Sequence, residues 1–374
     1  DANKNGVIDP GDLILIFSNQ IDEDPNGYVD DISGWDFLEN DNDPEDRTRF
    51  GHGSSQAKDS VARINNKSGS AGICGNCTLM PLRIDDSFVV DSNAYAKAVM
   101  YATNLKVDVI QQSIGSLNWT PLTVKAVNHA YDNGTIIIGS AADENSFHHN
   151  YPATLDPVIY ANSIRSDNRD FTKATTFLNF NNCSNYGARV DVSVSGESCS
   201  SEATANLAGI TGLALSFAKQ KNNPLSPGEM TALIRQTADD INGGPVPDDA
   251  KRHSSYKGWD TISGYGRVNA LRIMERVAKN QIPPEARIVE PQWFDVFIAN
   301  KTPSIPVTIH TAARNQEYKV SLQVARGVET TNQVFETLHE DNFTDANKKN
   351  LFYEIKPGEL SRLAENLLDK ERNK

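Results

Sequence analysis

Three short segments of this 374-residue chain carry side chains able to do nucleophilic chemistry. His52 stands in Phe50-Gly51-His52-Gly53-Ser54-Ser55. Ser201 stands in Cys199-Ser200-Ser201-Glu202-Ala203-Thr204, at the head of a run of small residues with helical character. Gly139-Ser140-Ala141-Ala142-Asp143-Glu144-Asn145 closes an apolar stretch. A serine that passes its proton to an imidazole can attack a carbonyl carbon. A helix N-terminus under that serine favours the negative charge that then develops. Each segment also has a plainer reading alone, as a loop histidine between glycines or as a serine N-cap.

A second chemistry is written in oxygen ligands. Asp1, Asn3, Asn5, Val7, Asp9 and Asp12 fall at the alternating positions of a calcium loop, with Gly6 at the sharp turn and Val7 offering its backbone carbonyl. Asp22, Asp24, Asn26, Tyr28, Asp30 and Asp31 repeat the pattern around Gly27. The plainer reading is an Asx-turn loop without metal, but two successive matches favour Ca2+. Residues 1–46 hold 14 Asp or Glu and one basic residue, Lys4. The whole chain has a formal net charge of −13, which repels nucleic acid. No apolar run approaches the roughly 20 residues of a membrane span. Among four cysteines, Cys74 and Cys77 form a CxxC without the second ligand pair that a zinc site needs, so a short-loop disulfide is expected. Cys183 and Cys199 are left free to pair or not.

These residues need elements to position them. Residues 92–104, 121–133, 201–219 and 226–238 have helical patterning, the last with Ser226 as N-cap, Pro227 at the first position and Glu229 completing a capping box. Between them VDVIQQSIGS, TIIIGSAA and PVIYANSI read as buried strands. This alternation predicts an α/β domain with a parallel sheet covered by helices. Gln281-Ile282-Pro283-Pro284 reads as a linker. After it ARIVEP, WFDVFIA, VTIHTAA and EYKVSLQVARG predict a small β-sandwich over 285–374, possessing a charged, helix-prone end.

In their order, GHGS (51–54), MPLRI (80–84), SIGS (113–116), GSAADEN (139–145), CSSEATANLAG (199–209) and GYGRVNA (264–270) resemble the series found in subtilisin-like serine proteases, the subtilases. The resemblance covers about 270 residues. It implies that Ser201 is the nucleophile, that His52 is its general base and that Asp143 holds the oxyanion position. It also implies that Ser113, Ile114 and Gly115, with Ser140, Ala141 and Ala142, wall an extended peptide cleft. The D-x-D-x-N-G-Y-V-D-D stretch before Gly34-Trp35-Asp36-Phe37 likewise resembles large members of the family.

Departures from the family pattern are as informative. The family's triad Asp ends an apolar strand upstream of the histidine. Val7-Ile8-Asp9-Pro10-Gly11 imitates that motif, but residues 1–6 cannot form a buried strand, so Asp9 is read as a loop ligand. The first strand and its Asp are expected before residue 1. Asp143 replaces the usual oxyanion Asn, Glu202 follows the nucleophile, and Lys58 stands where the family has Gly. Variants with A-A-D-E and C-S-S-E-A-T resemble a divergent branch of large secreted bacterial subtilases. The expectation is a secreted or cell-surface, calcium-stabilised serine endopeptidase, acting on peptide or protein substrates, or a processed part of one. Its 1–280 domain would keep an upstream segment of the precursor, or another protein, over the missing-strand face. The alternative is a catalytically impaired pseudoprotease serving as a structural or peptide-binding part of a cell-surface assembly.

Overall fold

The computed structural model describes residues 1–359 apart from 168–171, 173–174, 181–182, 246–252, 294, 299–300, 315, 326–334, 345–348 and 357. In chain order the elements are α1 (Pro10–Phe17), β1 (Trp35–Asp36), α2 (His52–Val61), β2 (Leu82–Arg83), α3 (Ser92–Asn104), β3 (Val109–Gln112), α4 (Pro121–Asp132), β4 (Ile136–Ser140), β5 (Val158–Arg165), β6 (Asn179–Phe180) and β7 (Val192–Ser195). Then come α5 (Ser200–Gln220), α6 (Pro227–Thr237), α7 (Ala270–Ala278), β8 (Glu285–Glu290), β9 (Ile305–Ala312), β10 (Tyr318–Val324), β11 (Glu336–Phe343) and β12 (Lys349–Ile355).

β3, β4, β5 and β7 run parallel, and β6 adds an antiparallel strand beside β5. Both faces of β4 are buried, which is why its sequence is a continuous isoleucine run rather than an alternation. Ile137 joins the core formed with α3 and α4, while Ile136 and Ile138 join the one formed with α5. α5 lies across the opposite face of the sheet, and its small residues let it approach closely. A Cβ at Gly209 would crowd Ile73 and the Ser60 carbonyl on the far side. α6 begins with the expected Ser226–Glu229 capping box.

β1 and β2 form a separate two-stranded parallel sheet, fastened by the buried Asp36–Arg83 ion pair. The outer edge of β2 and the outer edge of β3 have no strand partner among the described residues. The chains leaving these two strands meet further on, where Gly115 and Val89 form a parallel bridge.

The C-terminal region is a small β-sandwich of antiparallel sheets, β12-β9-β8 and β10-β11. Val307 and Ile309 of β9 and Tyr318, Val320 and Leu322 of β10 form the core between them. WFDVFIA is corrected: its described residues lie outside the strands, in a stretch containing Trp293, and β11 and β12 take places in the sheets instead. Most of the helix-prone end lies outside the described residues.

Candidate active site

Two helix beginnings are brought together. His52 opens α2 and Ser201 lies in the first turn of α5, and these helices pack against one another. His52 Nε2 and Ser201 Oγ are 3.0 Å apart, a hydrogen-bonding distance for proton transfer. Gly51 enters α2 in the left-handed region at φ 61° and has no side chain with which to cap it. Asp46 serves that end instead, accepting from the Ser54 N–H at 3.0 Å. Burial lowers the His52 pKa, against the pull of Asp143 and Asp46. Among the described residues no carboxylate bonds His52 Nδ1. Asp9 is far from that role: it caps α1 and accepts from Asn3, Asn5 and Gly11.

Phe50 stacks on the His52 ring and Phe88 meets it edge-on, their centroids 5.9 and 4.7 Å from it. Both phenylalanines are exposed, so the imidazole is screened by apolar surface on the open side of the site.

Ser113 Oγ donates to the Ser201 carbonyl at 3.1 Å, which places the 113–115 wall beside the nucleophile. Asn150, which the sequence did not single out, joins the two walls. Its amide donates to the Ile114 carbonyl at 2.9 Å and to the Ser140 carbonyl at 2.8 Å. Gly115 is required by that contact, since a Cβ there would overlap Asn150 Oδ1. The Gly115 N–H donates to the Phe88 carbonyl, and the Val90 N–H to the Gly115 carbonyl, both at 2.8 Å. The wall expected to offer Gly115 to a peptide strand therefore has that residue's backbone engaged by residues 88–90.

Asp143 sits over the first turn of α5. Its Oδ1 accepts from the Ser200 N–H at 2.9 Å and from the Ser200 hydroxyl. The residue is exposed, yet the protein packed around its carboxyl desolvates it and raises the pKa, which the Ser200 donors oppose. Ser200 Oγ also meets Ser140 Oγ at 2.7 Å, so β4's end and α5's beginning share one hydroxyl pair. Ala142, just before Asp143, has φ 67°. This region costs a non-glycine residue roughly 1–2 kcal/mol, partly offset by glycine's greater loss of entropy on folding. Ala142→Gly is expected to raise stability by about 0.5–1 kcal/mol, seen as a higher urea midpoint. A lower midpoint would mean that the turn is unstrained.

The two oxygen-rich loops differ from the ligand sets read in the sequence. Asp9 starts helix α1, which the sequence reading missed, and Asp12 completes its capping box. The buried Asp12 carboxylate accepts from the Asn3 N–H and the Asp9 N–H. Asp30 accepts from the N–H groups of Asn19 and Gln20, both at 2.8 Å. These two carboxylates fasten the loops. Asp1 and Asp22 accept from the glycine N–H groups of their turns, Gly6 and Gly27. Asn3 and Asn5 turn their amide groups toward Asp9, and Asn26 bridges Asp24 and Asp31. Val7 is exposed, and Tyr28 packs its ring against Trp35, Phe37 and Tyr101. Among the described residues no three His, Cys, Asp or Glu side chains are gathered as a metal centre.

Both cysteine pairs are disulfides, Cys74 with Cys77 and Cys183 with Cys199. Cys199 is the N-cap of α5, two residues before Ser201.

A model of the subtilase family matches residues 14–266. Thermitase of Thermoactinomyces vulgaris is 30% identical over 259 residues, which are 65% of this chain and 81% of that protein. A thermophilic serine proteinase of Bacillus sp. (strain AK1) is 31% identical over 276 residues, 70% of this chain and 61% of that one. A halolysin-like extracellular serine protease of Natrialba magadii is 27% identical, over 71% of this chain and 46% of its own. Among solved structures, a protease of Pseudoalteromonas arctica has the same fold, with a TM-score of 0.52 at 20% identity over 65% of this chain and 83% of that chain. No helix among the described residues is long and apolar enough to cross a membrane.

Proposed function

The chain belongs to the subtilase family of subtilisin-like serine proteases, and from that premise we propose that it is a secreted, calcium-stabilised endopeptidase with Ser201 as nucleophile and His52 as general base. The observation that carries this reading is the 3.0 Å contact between His52 Nε2 and Ser201 Oγ. Ser201 Oγ bonds to the peptide carbonyl carbon as its proton passes to His52 Nε2. The C–N bond then breaks, and His52 returns the proton to the leaving amine. Water, deprotonated by the same imidazole, releases the acyl group and restores Ser201. The test is hydrolysis of an unfolded protein substrate, present in this protein and absent in Ser201→Ala.

The substrate lies between the 113–115 and 140–142 walls, with the Phe50 and Phe88 rings beside it. In this reading Ser113, Ile114, Ser140, Ala141 and Ala142 line that cleft, Gly115 shapes its wall through the bonds to residues 88–90 instead of pairing with the peptide, and Asp143 faces the developing oxyanion. Secretion fits the two disulfides, which persist in oxidising compartments. The domain division falls at 281–284, between α7 and β8.

The carboxylate that orients His52 comes from a strand lying between β2 and β3, supplied by an upstream segment of the precursor or by another protein. In support, β2 and β3 each have an edge without a strand partner among the described residues, and the chains leaving them meet at the Val89–Gly115 bridge. α1 and the turn before it add apolar surface for such a neighbour, with Leu15, Ile16 and Phe17 of the helix and Ile8 ahead of its cap each more than half exposed.

Calcium is supported by donor chemistry: oxygen ligands at alternate positions in two loops, within a segment of 14 acidic residues and one lysine. Asp1, Asn3, Asn5 and Asp9 with the Val7 carbonyl would hold one ion, and Asp22, Asp24, Asn26 and Asp31 with the Tyr28 carbonyl the other, while Asp12 and Asp30 accept from backbone N–H groups instead. Each ion would neutralise clustered carboxylates and brace the loops that precede α2. Removing it with EDTA is expected to lower the melting temperature by about 5–10 °C, restored by excess Ca2+. An unchanged melting temperature counts against the calcium assignment.

A further inference from the structure

The loop carrying Asp143 and the helix carrying Ser201 belong to different elements, yet catalysis needs them at a fixed spacing. Residues 183–186 touch both. The Asn185 side chain is fully buried and lies under the Asp143 loop. Its Oδ1 accepts from the Glu144 N–H at 3.0 Å and from the Ser146 N–H at 3.1 Å, and its amide donates to the Glu144 carboxylate. Its own N–H donates to the carbonyl of Ala142 at 2.9 Å. Asn185 therefore grips the backbone on both sides of Asp143, across a turn in which Ala142 and Asn145 both have positive φ. Such a turn persists only when its surroundings over-determine it. Two flanking bonds extend the grip: Asn145 N–H to the Cys183 carbonyl, and Tyr186 N–H to the Ser146 carbonyl.

The same segment is tied to the nucleophile's helix in two ways. Cys183 is disulfide-bonded to Cys199, the N-cap of α5. Ser184 Oγ accepts from the Ser163 N–H at 3.1 Å, and Ser163 Oγ donates to the Ser198 carbonyl at 2.8 Å, just before that cap. We propose that residues 183–186 form a strap that sets the position of Asp143 relative to Ser201, with Asn185 as its positioning residue and the Cys183–Cys199 disulfide as its tie. Asn185 does not touch substrate; it acts through the backbone of residues 142–146. The proposal rests on the endopeptidase reading above.

The test compares full-length protein with three variants. Asn185→Ala is expected to lower kcat about 10²-fold on the acid side of the Asp143 titration, where that carboxyl is protonated and can donate, with KM little changed; the loss should shrink as pH rises and Asp143 ionises. Asn185→Asp with Glu144→Gln keeps the acceptor for both N–H groups and reverses the side-chain bond, and should recover most of the loss. Cys183→Ser with Cys199→Ser cuts the tie and should lower kcat in the same way, which serves if Asn185→Ala does not fold. Amide exchange at Glu144 and Ser146, slow in the parent protein, should quicken in Asn185→Ala. Unchanged kcat in Asn185→Ala, or a loss that the paired variant fails to recover, overturns the strap. If the parent protein hydrolyses nothing, the endopeptidase reading fails and exchange alone decides: unaltered exchange at Glu144 and Ser146 in Asn185→Ala overturns the strap as well.

Discussion

Replacing Ser201 by alanine is expected to lower kcat for peptide hydrolysis by about 10⁶-fold, leaving KM nearly unchanged. The size follows from the chemistry, because no other hydroxyl is bonded to His52 among the described residues. Ser200 lies next in the chain, but its hydroxyl faces Asp143 and Ser140. KM holds because the walls are joined by Asn150, which the substitution does not touch. His52→Ala should cost about as much, and Ser201→Ala with His52→Ala no more than either, since the two groups act as a unit. Hydrolysis that persists in Ser201→Ala, or losses that multiply in the double variant, would place the chemistry elsewhere.

Replacing Asp143 by asparagine is expected to raise kcat at pH 8 by about 10²-fold, the value of one donor to the oxyanion. Asn keeps an oxygen for the Ser200 N–H and offers an amide N–H at every pH. Asp143 can donate only while protonated, a form favoured at low pH and lost as pH rises through its raised pKa. His52 must be neutral, a form gained as pH rises through its lowered pKa. The unsubstituted protein should thus show two opposing limbs in kcat, falling on the alkaline side through Asp143. Asp143→Asn should abolish the alkaline fall and leave the acid limb. A variant with an unchanged profile, or with lower activity at pH 8, would show that Asp143 does not face the oxyanion.

The parallel domain was legible because its strands are buried on both faces. Ile136, Ile137 and Ile138 cannot be anything but interior, and a capping box such as Ser226–Glu229 is a local signal with local geometry. The contact of His52 with Ser201 was legible as two motifs in order, although 149 positions separate them. Helix α1 went unread in the N-terminal segment because caps and metal loops draw on the same residues. Asp9 and Asp12 suit either, and the apolar run behind them became α1. β11 was missed because ETLHEDNF has only Leu338 and Phe343 as apolar residues, five positions apart, so its alternating burial, interrupted by a register shift, leaves no apolar alternation in the sequence. Asn150 and Asn185 were invisible for another reason. An asparagine in a loop signals nothing until burial shows which backbone groups it must satisfy.

The most direct measurement of the central claim is covalent labelling of the full-length protein by a fluorophosphonate, followed by peptide mapping. A hydroxyl activated by His52 attacks phosphorus and expels fluoride, whereas an ordinary serine does not react. The account predicts one labelled residue, Ser201, with no labelling in Ser201→Ala or His52→Ala. Folded protein that remains unlabelled, or carries the label on another serine, would contradict it.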